Sequence, residues 1–346
     1  MTERPGDRRS EESISGSVGR RLAGAFDSME VALREPRVRR TVGILLWVVS
    51  GLGYLWGAYL LLVVAQNALV ARGGALVPSG GAAAWDSYST WLASQHLREG
   101  SQIYATSPQP GIGEIYYPPL YVQLTSPLGL LPWAVFGNGA RLLEFLALRG
   151  LAGSWRATGI WLLYPPVVME VNIANIVLLT AFGASIALRG RTEWLPVAAI
   201  PKLAPILAAP AAWRCVPEGR RRLVVSAVLV AVAVAISWAI SPQLWADWVD
   251  AVRRLREYGD AGLQTGFDSG FFTRIVVALL LVALSFWRRW PLPRSTALLA
   301  TLVGLPALRD ASFAMLCGVP LLFRWDYDEA RGRPRQPLRI PRPSPR

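Results

Sequence analysis

From Gly43 to Gln66 the chain reads GILLWVVSGLGYLWGAYLLLVVAQ, with no charged residue. At about 1.5 Å per residue this run is long enough to cross a hydrocarbon core of about 30 Å. It exceeds the apolar region of a signal peptide and lies too far from the first residue to be one. Further apolar segments follow near 118–135, 139–152, 157–168, 173–188, 195–213, 223–240, 271–286, 295–307 and 311–323. The sequence therefore predicts an all-α polytopic membrane protein with about ten membrane segments, several of them short or re-entrant.

Charge placement sets the expected orientation. The formal net charge is +13, and the arginines gather beside apolar segments, at Arg34–Arg40, Arg214–Arg222, Trp287–Arg294 and from Arg324 onward. The positive-inside rule puts those flanks in the cytoplasm and explains the basic excess without nucleic acid as a partner. Residues 1–40 read as a cytoplasmic basic arm ending in a short helix, 41–324 as the membrane domain, and 325–346, rich in Pro and Arg, as a disordered cytoplasmic tail near anionic lipid. Two loops then fall on the extracytoplasmic side, 70–117 and 241–270, each expected to carry an interfacial helix. The site is expected there.

Chemistry-bearing residues are few. One histidine, His96, cannot build a metal cluster or a charge-relay triad, and the two cysteines, Cys215 and Cys317, have no zinc or disulfide spacing. Lys202 is the only lysine in the chain and stands between Pro201 and Pro205 in a broken apolar segment. If RGRTE (189–193) and RCVPEGRRR (214–222) are both cytoplasmic, that segment must enter the membrane and return, with its tip near Lys202. A charge at such a depth is a functional candidate, although snorkelling or pairing with Glu170 would also account for it. In the first loop, WDSYSTWLASQHLREG places Asp86 as the N-cap of a helix over Ser87–Glu99, with Gly100 as its stop and Trp91 as a membrane anchor.

The order of residues from that loop onward is more specific than any one of them. Asp86 is followed by Tyr88, Gly100 with Tyr104, Tyr117-Pro118-Pro119, Pro127-Leu128 and Leu131-Pro132. This resembles the first outer loop of the family-87 glycosyltransferases, membrane enzymes of the GT-C class that use polyprenyl-phosphate sugar donors. Glu170-Val171-Asn172 stands where the family has a Gln-containing motif, and PKLAP (201–205) is similar to its lysine–proline segment. A later Asn-containing motif survives only as Asp268 and Arg274, and RDAS (309–312) stands where many members carry a histidine.

The resemblance implies transfer of a sugar, mannose foremost and arabinofuranose as another option, to a glycolipid or polysaccharide acceptor at the extracytoplasmic face of the cell membrane. It implies no metal or cofactor. Asp86 would be the base and Lys202 the donor-phosphate ligand, while Tyr88, Tyr117, Glu170, Asn172, Asp268 and Arg274 would be substrate contacts. Inverting transfer from a phosphate needs one base for the acceptor hydroxyl, and fixed positive charge rather than a general acid at the leaving group. Two rivals remain at this level: a polytopic transporter or lipid flippase, since broken helices suit passage equally well, and a non-catalytic relative of the enzymes.

Overall fold

The computed structural model describes residues 35–70, 85–104, 117–260, 271–287, 290–305 and 310–330. The described residues are mostly helical, with no strand among them. The expected helix at the end of the N-terminal arm, and Asp268, lie outside them.

α1 (Pro36–Val70) contains the first apolar run, and α10 (Arg220–Ile240) contains the segment expected near 223–240. These are the two helices among the described residues that are long and apolar enough to cross a membrane. A third span would count α6 (Pro165–Ile173) and α7 (Val177–Leu188) as one, although they meet at 107°. α12 (Phe271–Phe286) is apolar but shorter. The protein is thus a helical membrane protein in which most of the expected apolar segments resolve into short pieces.

The breaks follow proline and glycine. The stretch expected as one segment over 118–135 divides into α3 (Pro119–Thr125), a 3-10 turn over Ser126–Leu130 that opens with Pro127 near its start, and the first residues of α4 (Trp133–Ala152). α4 stops at Gly153, whose φ of 75° is open to glycine at no steric cost, and Ser154 then caps α5 (Trp155–Trp161) by accepting the Ala157 amide at 3.1 Å. The segment around Lys202 is broken as its prolines require. α8 (Trp194–Ala198) ends before it, and a 3-10 turn over Ala204–Ala208 leads into α9 (Ala209–Cys215).

α1 is docked on α5 through glycines. A Cβ on Gly53 would run into the Gly159 carbonyl, and one on Gly159 would meet Ser50, so the backbones touch where side chains would hold them apart. Gly53 and Gly57 form a small-xxx-small face, the usual means of close helix approach in lipid. Overpacking such a contact costs about 1–3 kcal/mol or more. Gly159→Val is therefore expected to lower the thermal midpoint of the detergent-solubilised protein, whereas Gly43→Val, with open space around it, is not. Equal midpoints for both variants would contradict this packing.

The helices of the two expected outer loops meet at one end. α2 (Trp85–Glu99) packs on α3, α4 and α6, and α11 (Pro242–Asp260) packs on α3 and α10. Ala93, Ile103, Tyr104, Val122 and Ala251 form a small apolar core between them. α2 is accordingly part of the packed domain rather than a helix resting on lipid alone. Trp91, expected as a membrane anchor, is half-buried and donates its indole N–H to the Leu131 carbonyl at 2.9 Å. Trp85 and Asp86 are both helical, so Asp86 lies within the helix instead of at its N-cap.

At the other end, arginines of the expected cytoplasmic flanks close helix termini. Arg214 donates to the carbonyls of Ser285 (2.8 Å) and Trp287 (2.6 Å) at the end of α12, and Arg222 donates to Gly190 (2.8 Å). Arg294, at the start of α13 (Pro293–Val303), is only 1% exposed. It donates to Leu188 O at 2.9 Å and Cys215 O at 3.3 Å, and pairs with Asp326 at 3.0 Å. The last described helix, α14 (Val319–Ala330), runs past Arg324, so Asp326 belongs to the core and not to the tail.

Candidate functional site

The sharpest feature of the backbone is the bend between α6 and α7. Ala174 (φ 50°) and Ile176 (φ 58°) are both left-handed, and neither is a glycine. Such residues cost roughly 1–3 kcal/mol each and persist only where their surroundings over-determine them. Here Glu170 does much of the holding. Its main-chain carbonyl accepts from the Ala174 amide at 2.8 Å, and its side chain accepts from the Val177 amide at 2.7 Å, the first N–H of α7. A carboxylate at a helix N-terminus gains from the orphan donors and from the helix dipole.

Between the two strained residues sits Asn175, which gathers the site. Its Oδ1 accepts from Lys202 Nζ at 2.7 Å and from the Tyr117 hydroxyl at 2.9 Å. Lys202 Nζ also lies 5.8 Å from the centre of the Tyr117 ring, within cation–π range. Tyr117 is fixed in turn: its carbonyl accepts from the buried Tyr104 hydroxyl at 2.8 Å, and its ring meets Tyr121 edge-on at 4.9 Å. The break between α8 and the following 3-10 turn thus delivers an ammonium to the break between α6 and α7.

A second layer of charge lies behind this pair. Glu144 on α4 is completely buried, as is Glu170, and it interacts electrostatically with both Glu170 and Lys202. It faces the amides of Leu178 and Leu179 in the first turn of α7, but neither of its oxygens closes a hydrogen bond among the described residues. One turn earlier, Arg141 Nε donates to the Asn172 carbonyl at 3.2 Å and Nη1 to Asn138 at 3.3 Å. Two cations, two carboxylates and one helix N-terminus therefore share a small region of an apolar bundle. Buried charges persist only when compensated in this way.

The structure brings together Lys202, Tyr117 and Glu170 of the sequence candidates, with Asn172 beside them through its carbonyl. Tyr88 lies elsewhere on α2, against Trp133 (5.1 Å, edge-on) and Trp91 (5.8 Å, stacked). Arg274 is half-buried in the first turn of α12. Asp86 is described by its backbone alone, on a helix that packs against α6. Sequence reasoning missed Asn175, which it took as part of a span. It also missed Arg141 and Glu144 within the apolar segment expected over 139–152, although their i, i+3 spacing puts both on one face of α4.

These features define a helical membrane protein with a lysine–amide–phenol cluster at paired helix breaks, an arrangement able to hold an anionic group at a fixed point charge. The model of glycosyltransferase family 87 matches residues 116–316, more than half of the chain. The protein belongs to that family and is a membrane glycosyltransferase. No curated protein and no solved structure matches the chain. Tyr117, Glu170, Asn172, Lys202, Asp268 and Arg274 fall inside the matched stretch, while Asp86 and Tyr88 precede it.

Proposed function

We propose that the protein moves a sugar, mannose foremost, from a polyprenyl-phosphate-linked donor to a lipid- or polymer-linked acceptor, inverting the anomeric centre. The catalytic domain spans residues 41–324 in several membrane passes, and the site faces the extracytoplasmic side of the cell membrane. Asp86 takes the proton of the acceptor hydroxyl as its oxygen bonds to the anomeric carbon. The bond from that carbon to the phosphate oxygen breaks, and the polyprenyl phosphate leaves with the electron pair. Lys202 holds the phosphate as its charge grows, which removes the need for a general acid.

The observation that carries this reading is the tethering of the only lysine to Asn175 and Tyr117 at the meeting of two helix breaks. A point charge fixed before the reaction needs no reorganisation when the leaving group ionises, the condition under which electrostatic stabilisation is most effective. The packing of α2 on α6 and of α11 on α3 supports a shared cavity mouth formed by the two outer loops.

The test is transfer of label from radiolabelled polyprenyl-phosphate-mannose by the purified protein, with native membrane lipids as acceptors. Transfer is expected. Failure with mannose but success with another polyprenyl-phosphate sugar would correct the sugar, and failure with all such donors would overturn the reading. Hydrogen bonds to charged groups contribute about 1.5–3 kcal/mol, so Lys202→Ala is expected to weaken donor binding by about 10- to 100-fold. An unchanged donor affinity in a folded Lys202→Ala protein would remove its role.

A further inference from the structure

We propose that Asn175 is itself a donor-binding residue: its side-chain oxygen holds Lys202, and its side-chain N–H groups donate to the same phosphate that the ammonium holds. The inference rests on the reading of Lys202 as the phosphate ligand. A lysine ammonium carries three donors and no acceptor, so an amide that bonds to it must present its oxygen. Lys202 Nζ lies 2.7 Å from Asn175 Oδ1, and the Tyr117 hydroxyl donates to the same atom at 2.9 Å. Two donors on one oxygen fix which way round the amide sits. The nitrogen is left for another partner.

Among the described residues Nδ2 closes no hydrogen bond, and it is not one of the buried polar atoms left without a partner. Asn175 and Lys202 are both half-buried, so neither side chain is sealed inside the bundle. By the bond lengths of an amide, Oδ1 and Nδ2 are about 2.2 Å apart, so Nδ2 lies within about 5 Å of the ammonium. One phosphate group can accept from both. The ammonium supplies charge without direction, and the amide supplies direction without charge. Because Oδ1 is neutral, it steadies the lysine without cancelling that charge, as a carboxylate in its place would. The backbone holds the amide there at a cost. Ala174 (φ 50°) and Ile176 (φ 58°), on either side of Asn175, are both left-handed, and strain of this kind concentrates where a binding group is preorganised.

The experiment measures the affinity of a fluorescent polyprenyl monophosphate for the full-length protein in detergent, for wild type, Asn175→Ala, Lys202→Ala and the double variant. Asn175→Ala is expected to bind the probe roughly tenfold more weakly, the size of one hydrogen bond to a charged group. A residue that acts only by steadying Lys202 has nothing left to do once the lysine is gone, so its loss would then be silent. A residue that touches the phosphate still counts, and Asn175→Ala is expected to weaken binding several-fold in the Lys202→Ala background as well. Asn175→Asp keeps an acceptor for Lys202 and Tyr117 but has no N–H to give, and it brings a negative charge to the phosphate. It is expected to bind the probe at least about 100-fold more weakly, at a thermal midpoint no lower than that of wild type.

Unchanged affinity in Asn175→Ala or in Asn175→Asp overturns the inference, as does a loss in Asn175→Ala that disappears without Lys202. If the alanine variant does not fold, Asn175→Asp decides alone, with and without Lys202. Failure of both variants to fold would make Asn175 a residue of the bend only and also overturn the inference. A wild type that binds the probe but transfers no sugar overturns the transfer reading alone, and the role of Asn175 is still decided by the affinities. A wild type that does not bind the probe overturns the inference together with the Lys202 assignment.

Discussion

Asp86→Asn is expected to lower sugar transfer at least about 10²-fold, and by up to about 10⁴-fold, with donor affinity within a factor of about two of wild type; that range is what general-base catalysis contributes. The substitution is chosen to isolate the proton acceptor. Asparagine matches aspartate in size and serves equally well near a helix N-terminus, so the start of α2 should be undisturbed. The helix is also held independently of residue 86. Ser94 lies against Gly129 so closely that a Cβ there would sit 2.7 Å from the serine side chain, Trp91 is bonded to Leu131, and Tyr88 and Trp91 stack on each other and meet Trp133. A loss of turnover with the same thermal midpoint and the same donor binding would assign Asp86 to the chemical step. Wild-type turnover in the asparagine variant would exclude it as the base.

How far the sequence foretells this protein depends on what kind of signal each feature leaves. The run from Gly43 and the helix over 271–286 are legible because an uninterrupted apolar stretch has few alternatives to a helix. The break at Lys202 is legible because prolines cannot continue a helix. The bend of 107° between α6 and α7 has no such marker. It is made by an alanine and an isoleucine in a conformation that neither prefers, stabilised by Glu170 from four and seven residues away, and no local pattern encodes that. The site inherits the difference. Lys202 stands out by rarity and Tyr117 by its place before two prolines, while Asn175 gains its role only from the bend and Glu144 only from the face of α4 that meets α7.

Arginine placement shows a further limit, because the positive-inside rule explains why basic residues flank the spans but not which of them are solvated. Arg294 sits in such a flank and is nevertheless buried, only 1% exposed. Asp326, fully buried in its side chain, accepts from the amides of Arg294 and Ser295, each at 3.1 Å, and from the Ser295 hydroxyl at 3.0 Å, which makes it the N-terminal cap of α13. Arg294 answers by tying Asp326 and Glu329 to the carbonyl ends of α7 and α9. Four helices, α7, α9, α13 and α14, thus meet at one guanidinium.

Removing one partner of a buried ion pair costs about 3–5 kcal/mol, because the other charge is left uncompensated. Arg294→Ala is therefore expected to produce the largest fall in thermal stability of any single substitution considered, and to expose α14 to protease. Asp326→Asn should cost less, since asparagine still accepts the amides of residues 294 and 295 through its oxygen. Glu329→Gln should be close to neutral, because the Glu329 side chain is 42% exposed and water screens its share of the pair. The measurement is the thermal aggregation midpoint in detergent together with limited proteolysis of the three variants. The predicted order is Arg294→Ala far below Asp326→Asn, with Glu329→Gln near wild type. Equal midpoints for Arg294→Ala and Glu329→Gln would mean that the guanidinium is a bystander and that apolar packing alone holds α13 and α14 to the bundle. The opposite result would place the stability of the whole end of the molecule opposite α2 and α11 on a single charge, which leaves the strained, charge-rich bend at α6 and α7 free to be shaped for the reaction rather than for holding the fold together.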